Sequence, residues 1–224
     1  LIQSTSRGGT DPLQRKLLYR GAEADVVKGR WEGLDAVFKM RKPLRYRLAV
    51  LDNELRFQRT MREAEMLHAV KRAGVSAPHL YYVDPRGATL VMEYVEGPRV
   101  KDILSRLSSG EIEGVFETLG RSVARLHASK IMHGDLTTAN LVRQDGRLVF
   151  LDFGLSLHTD RVEDHAVDLR LIKETIQGAH PAIADHAMKS LFAGYQAGVG
   201  ASRSKATLKQ LRSIERRGRY ARVV

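Results

Sequence analysis

Three polar marks at fixed intervals constrain this chain more than anything else in it. His133-Gly134-Asp135 comes first, Asn140 lies five residues beyond that aspartate, and Asp152-Phe153-Gly154 begins twelve residues beyond the asparagine. Phosphoryl transfer needs a carboxylate beside the attacking hydroxyl, and an amide and a second carboxylate to hold a divalent cation against phosphates. Asp135, Asn140 and Asp152 supply those three groups. An Asp and an Asn so spaced bracket one loop, and the apolar run Leu148 to Leu151 predicts a strand that delivers Asp152 to the same place. Upstream, Ala36-Val37-Phe38-Lys39 puts a lysine at a strand end, and Glu63 lies on the next predicted helix where an ion pair would turn that lysine toward phosphates. Each residue alone has a plainer reading: Asp152-Phe153-Gly154 as a turn, Lys39 as a solvated strand end, Glu63 as an exposed helix residue, His133 as a packed, hydrogen-bonded ring. In this order, on these elements, they predict one metal-assisted nucleotide site.

The surrounding pattern is that of an α+β chain. Short runs over Leu13 to Tyr19, Asp25 to Trp31 and Leu34 to Met40, parted by Gly21-Ala22-Glu23-Ala24 and Glu32-Gly33, predict three antiparallel strands. Leu51, Leu55, Met61, Ala64, Leu67 and Val70 recur at helical steps and predict a long amphipathic helix ending near Gly74. Two further strands, Leu80 to Val83 and Ala88 to Tyr94, complete an N-terminal lobe over 13–97, preceded by a flexible leader over 1–12. Helices are expected over Val100 to Leu107, Ile112 to Ala128, His165 to Ile176, Ala182 to Tyr195 and Lys205 to Arg216. They form a mostly helical lobe over 98–215, followed by a basic tail over 216–224. The expectation is a two-lobed, protein-kinase-like fold with a minimal helical C-terminal lobe.

Three local features refine it. Gly21 permits a close turn, and Ala22 and Ala24 leave room for backbone N–H groups to approach phosphate. Glu23 would repel a triphosphate, so it is expected to hold the loop or Lys39 instead. Only thirteen residues separate Gly154 from Asp168, without an Ala-Pro-Glu sequence, which excludes a long platform for peptide substrates. The chain has no cysteine, and so no disulfide or thiolate chemistry, and no apolar run long enough to span a bilayer. Its net charge of +11 is concentrated between Arg203 and Arg222, where Glu215 is the one acidic residue; a smaller basic group runs from Lys39 to Arg47. That asymmetry suggests a polyanionic partner, nucleic acid ahead of membrane, with Lys205, Lys209, Arg212, Arg216, Arg217, Arg219 and Arg222 as the contacting residues. The plainer reading is a solubilising tail.

His133 to Leu141 and Asp152 to Ser156, with Gly21 to Ala24, Arg45-Tyr46-Arg47, Leu51-Asp52, Arg62-Glu63-Ala64, Glu163-Asp164, Val167-Asp168-Leu169 and Arg217-Gly218-Arg219, resemble the small atypical kinase of the KEOPS complex, the PRPK family. The resemblance implies ATP and Mg2+ or Mn2+ as cofactors, serine/threonine kinase or ATPase activity, and cytoplasmic (in a eukaryote also nuclear) work. Its implied partners are tRNA, the threonylcarbamoyl-transferase subunit and the other KEOPS subunits, and no membrane. It makes Lys39 and Glu63 the ATP-clamping pair, Asp135 the catalytic aspartate, Asn140 and Asp152 the metal ligands, and Asp168 a brace for the catalytic loop. Gly21, Ala22, Glu23, Ala24, Met92, Glu93, Tyr94 and Val95 join the nucleotide-contacting set. Leu48-Ala49 and Tyr220-Ala221 depart from the family's usual residues, outside the nucleotide positions. Two other readings stand beside it: a nucleotide-stabilised scaffold without turnover, and a small-molecule phosphotransferase, which His133-Gly134-Asp135 would suit equally.

Overall fold

The computed structural model describes residues 16–220, with side chains as far as 217. The expected leader, the start of the first strand at Leu13, Arg222 and the side chain of Arg219 lie outside the described residues. The chain divides into two units. The first ends at Leu67 and resumes over Pro78–Val95; the second holds His68–Ala77 and everything from Glu96.

The first unit is an antiparallel sheet of β1 (Lys16–Arg20), β2 (Ala24–Trp31), β3 (Leu34–Arg41), β4 (Leu80–Asp84) and β5 (Thr89–Glu93), in the order β1-β2-β3-β5-β4, with the larger part of α1 (Ala49–Arg72). Glu32 and Gly33, at φ of 48° and 85°, join β2 to β3 in a two-residue turn of the kind that matches strand twist. Side chains then alternate between faces. Ala36 and Phe38 join Val27 and Val91 in one apolar cluster, flanked by Trp31, Met40 and Tyr81. Leu90 and Met92 meet Ala64 of α1 on the other, flanked by Val37, Leu80 and Val83. The same period of two puts Lys39 and Arg41 on the face of Val37, toward α1.

The second unit is mostly helical: α2 (Val100–Ile103), α3 (Ser109–Ala128), α4 (Val162–Ala179), α5 (Ala184–Val199) and α6 (Ala201–Tyr220). Two small hairpins complete it, β7 (Leu141–Gln144) with β8 (Arg147–Phe150), and β6 (Ile131–Met132) with β9 (Leu157–His158). The helix expected over Val100 to Leu107 stops at Ile103 and tightens into a 3-10 turn over Leu104–Arg106. The reason is Ser108, which must be extended to cap α3: its hydroxyl accepts from the Glu111 N–H while the Glu111 carboxylate accepts from the Ser108 N–H. α5 opens two residues later than expected, after a turn at Pro181–Ile183, and reaches Val199.

Gly200, at φ 82°, is the sole residue between α5 and α6. α6 begins four residues before the expected Lys205 and runs through Gly218, past the expected end at Arg216, so the boundary expected before 216 falls inside a helix. A glycine in a helix costs only about 1 kcal/mol relative to alanine, and the preceding turns are anchored. Ser204, Thr207, Leu211 and Ile214 are buried at three- and four-residue steps. Of the three residues a membrane-bound α6 would insert, Leu208 is half-buried and Leu211 and Ile214 are 2% and 9% exposed. Among the described residues no helix is long and apolar enough to cross a membrane.

α3 and α5 approach until their backbones nearly touch. A Cβ on Gly120 would stand 2.1 Å from the Leu191 carbonyl oxygen, and one on Gly194 2.1 Å from that of Glu117. Neither carbonyl can give way, because each belongs to a helical hydrogen-bond ladder. Gly194→Val should therefore lower stability by about 3 kcal/mol through overpacking, read as a lower urea midpoint; an unchanged midpoint would mean that the helices can separate without cost.

Candidate active site

In the first unit the expected ion pair forms. Lys39 Nζ lies 2.7 Å from Glu63 Oε1, the two residues being 8% and 2% exposed. The pair is joined by a residue the sequence reading did not single out: the Arg41 guanidinium meets the other carboxylate oxygen, Oε2, at 2.5 Å. The signal was present, since Lys39 and Arg41 are two apart on one strand and so share a face. Glu63 is thereby saturated by two cations, which a carboxylate this deeply buried requires.

The loop over Gly21 to Ala24 is closed by the Gly21 N–H donating to the Ala24 carbonyl at 2.9 Å. Lys42 Nζ donates to the Gly21 carbonyl at 2.5 Å and to Asp25 Oδ1 at 3.2 Å, tying the loop to the end of β3. Glu23 holds the loop rather than Lys39. It accepts from Arg59 Nη1 at 2.6 Å and lies 3.6 Å from Arg47 Nη2. The Arg59 hydrogen bond and the neighbouring guanidinium charges hold its carboxyl below the usual range. At the end of β5, Met92 is buried with Ala64 and Leu90, and Glu93 accepts from the His79 N–H at 3.0 Å. Lys28 Nζ stands 3.7 Å above the Tyr94 ring, and Val95 is buried.

In the second unit the loop residues expected to carry catalysis converge. Asn140 Nδ2 donates to both the backbone oxygen of Asp135 at 3.0 Å and its Oδ2 at 2.8 Å, which fixes the loop across five residues and turns the amide oxygen of Asn140 away from Asp135. The Leu151 N–H donates to the Asn140 carbonyl at 2.8 Å, so Asn140 and Asp152 flank the open end of the β7–β8 hairpin. Asp152 is exposed and held at φ 58°, a left-handed conformation rare outside glycine, with the Gly154 N–H donating to its Oδ1 at 3.1 Å. Among the described residues no cluster of three or more His, Cys, Asp or Glu gathers to hold a metal. An amide oxygen and one carboxylate nonetheless suit Mg2+, which keeps several waters and takes its remaining ligands from phosphates.

His133 is not an acid or base here. The Asp135 N–H donates to its Nδ1 at 3.2 Å and its Nε2 lies 3.2 Å from the Leu151 carbonyl, which fixes the tautomer with hydrogen on Nε2. Burial holds its pKa below the ordinary value, so the ring stays neutral, packed 4.8 Å from Phe153. The Asp168 carboxylate, fully buried, accepts from the backbone N–H of His133 at 2.7 Å and of Gly134 at 2.9 Å. It also meets His127 Nε2 at 3.2 Å. Burial alone would raise its pKa, but the hydrogen bonds from His127 and the His133 backbone outweigh that and hold it below the usual range. His127 and its neighbour His165, stacked at 4.0 Å and 5°, were not singled out from sequence.

Gly134 has a steric reason for standing beside the aspartate. Its φ is 83° and a Cβ would meet the Leu155 carbonyl oxygen at 2.3 Å. The segment after Gly154 is drawn back against the loop: Ser156 Oγ donates to the His133 carbonyl at 2.7 Å, β9 pairs with β6, and the Thr159 N–H donates to the Lys130 carbonyl at 2.8 Å. The thirteen residues before Asp168 are thus consumed in pairing and in entering α4.

His165 makes stability depend on pH. Its Nε2 lies 3.2 Å from the Thr159 carbonyl, Arg203 Nη2 donates to its Nδ1 at 3.1 Å, and burial, with His127 beside it, lowers its pKa to about 4. A folded-state pKa depressed below the unfolded value of 6.5 means that the unfolded chain takes up the proton first as pH falls. The stabilisation is complete above the unfolded value and is lost progressively down to the folded one. The urea midpoint should accordingly fall between pH 7 and pH 4.5, by less in His165→Asn than in wild type; parallel curves for the two proteins would remove this role.

Comparison with known proteins agrees with this geometry. Residues 15–178 match the protein kinase domain family. The chain is 36% identical over 211 residues to the KEOPS complex subunit Bud32 of Pyrococcus abyssi, covering 92% of this chain and 96% of that protein. It is 37% identical over 208 residues to a probable bifunctional tRNA threonylcarbamoyladenosine biosynthesis protein of Methanobrevibacter smithii, covering 93% of this chain but 37% of that longer protein. Among solved structures, the Rio2 kinase of Chaetomium thermophilum in its ADP/Mg2+-phosphoaspartate complex shares the fold at a TM-score of 0.57 and 16% identity, over 97% of this chain and 71% of that one. The chain therefore belongs to the protein kinase domain family and, within it, to the Bud32 family of small KEOPS-type kinases.

Proposed function

We propose that the chain is an ATP-dependent atypical serine/threonine kinase or ATPase, acting in the cytoplasm as the Bud32-type subunit of a KEOPS assembly that makes threonylcarbamoyl adenosine in tRNA. The observation that carries this reading is the grip of Asn140 on Asp135 beside the hairpin end that presents Asp152. That grip turns the amide oxygen of Asn140 away from Asp135 and sets it beside the strand end that carries the Asp152 carboxylate, the two kinds of oxygen donor a divalent cation takes. In this role Asp135 orients the attacking group and takes its proton, Asn140 and Asp152 hold Mg2+ or Mn2+, and Lys39, steadied by Glu63, neutralises phosphate charge. Bound ATP supplies the phosphoryl group. The pairing of β9 with β6 leaves no extended segment on which a free peptide could lie, which favours hydrolysis or phosphorylation of a stably bound partner. The threonylcarbamoyl-transferase subunit is that partner in this reading, docked on the helical unit.

The test is ATP turnover with and without that subunit and tRNA. Asp135→Asn should lose turnover by about a hundredfold or more, the scale of a lost general base, while calorimetry shows ATP binding largely kept. Asp152→Asn should weaken metal-dependent ATP use. Turnover equal to wild type in both variants would withdraw the assignment.

α6 supports the tRNA part. Lys205, Lys209, Arg212, Arg216 and Arg217 are all exposed while the helix buries its opposite face, and among the described residues Arg217 alone of the five is paired across elements, with Glu163 at 3.2 Å. Deleting α6 would expose Leu211 and Ile214, so charge reversal is the cleaner probe. Changing Lys205, Lys209, Arg212 and Arg216 to glutamate should weaken tRNA binding and flatten its salt dependence, the slope of log affinity against log salt falling by about 0.7 to 0.9 per lost contact. Filter binding over a salt series measures both; unchanged affinity and slope would leave α6 as a protein-docking element.

A further inference from the structure

α6 reaches the support of the catalytic loop with residues outside its basic face. Thr207, fully buried and one turn beyond Arg203, accepts a hydrogen bond from the Tyr195 hydroxyl at 3.4 Å and donates to the Arg203 carbonyl at 3.0 Å. The Tyr195 hydroxyl lies 2.9 Å from His127 Nδ1, and the other nitrogen of that ring meets Asp168 Oδ2. Asp168 in turn holds the N–H groups of His133 and Gly134, the two residues before Asp135. Arg203 arrives at the same place by a second route, donating to His165 Nδ1, and His165 is stacked flat on His127. Two side chains of one helical turn therefore reach the stacked pair, Arg203 touching His165 directly and Thr207 reaching His127 through the Tyr195 hydroxyl.

A phenylalanine would fill the space of Tyr195 equally well, since the residue is 0% exposed and its ring packs edge-on against His127. Its hydroxyl has to be accounted for separately. A buried hydroxyl is unfavourable unless bonded, and a buried ring nitrogen deprived of its partner is unfavourable in turn. What the hydroxyl does is fix the rotation of His127. With Nδ1 held, Nε2 points at Asp168; with Nδ1 released, the ring can turn and Asp168 loses its only side-chain donor among the described contacts. The carboxylate then binds the loop backbone alone.

We propose that Tyr195 and Thr207 are positioning residues for the catalytic loop, through which α6 sets the geometry of Asp135. This rests on the ATP-using role proposed for Asp135, and it adds that the helix carrying the cationic outer face is mechanically continuous with the reacting group. A polyanion that shifts α6 would change turnover without touching the nucleotide.

The test compares Tyr195→Phe, Thr207→Val and Thr207→Ser with the intact chain. Amide hydrogen exchange is the first readout and is independent of any activity. His133 and Gly134 should exchange about tenfold faster in Tyr195→Phe and Thr207→Val, the factor expected for one lost hydrogen bond in the chain, while Val142 and Val149 of the β7–β8 hairpin keep wild-type rates. The second readout is ATP turnover and binding: kcat should fall by about tenfold, the ATP Kd should hold, and Thr207→Ser, which keeps the hydroxyl, should restore kcat. Unaltered exchange at His133 and Gly134, or faster exchange spread evenly over the helical unit, overturns the proposal. Absence of turnover in wild type would instead defeat the functional reading, and the exchange experiment would still decide this one.

Discussion

The carboxylate of Asp168 is the interaction on which the second unit depends. An ionised group with no exposure to water is tolerated only when donors replace its hydration. Here two of those donors are the backbone N–H groups of His133 and Gly134 and the third is His127. Holding a backbone rather than a side chain has consequences for the sequence. Gly134 must accept a left-handed conformation under the Leu155 carbonyl, so a side chain is excluded beside the aspartate. Ser156 then grips the carbonyl of His133, and the loop is clamped from both sides. The short run from Gly154 to Asp168 follows from this: the segment is committed to closing over the loop and cannot also form a platform.

Glu63 plays the corresponding part in the first unit, with opposite partners. Two cations on one strand face share one carboxylate. Breaking a buried pair by removing one member is far more damaging than the net value of the pair suggests, because a charge is left uncompensated. With Arg41 in place, Glu63 stays compensated even when Lys39 turns toward another anion. The second cation thus keeps the helix that carries Glu63 anchored to β3 independently of Lys39.

How much of this was legible from sequence follows from where each signal resides. The Lys39–Glu63 pair and the approach of Asn140 to Asp135 could be read because the expected chemistry fixes both residue types and spacing, and the strand and helix patterns around them are periodic. Arg41 was readable in principle from its two-residue offset. The support of Asp168 was not, since His127, Tyr195, His165 and Thr207 come from four helices and no local period links them. The strands β6 and β9 are two residues each, too short to alternate visibly, and the break after Ile103 turns on a cap at Ser108 that competes with helical continuation. α6 runs past the expected end at Arg216 for a related reason: glycine propensity at Gly218 is a weak local term, and packing of Leu211 and Ile214 outweighs it.

α6 shows why composition alone could not separate the readings of the basic terminus. A cluster of lysine and arginine is equally consistent with a solvated tail, a membrane-binding helix and a nucleic-acid contact; what distinguishes them is the fate of the interleaved apolar residues. Burial of Leu211 and Ile214 removes the insertion face, and the Lys173–Glu215 pair at 2.6 Å ties the helix to α4. A helix so anchored presents its cations in a fixed array rather than as a flexible brush, which lowers the ordering cost of meeting a rigid polyanion. The same anchoring makes the array informative to the rest of the unit. A force on a tethered coil dissipates, whereas a force on a packed helix must be borne by the contacts beneath it, and here those contacts lead through Tyr195 and His127 to Asp168.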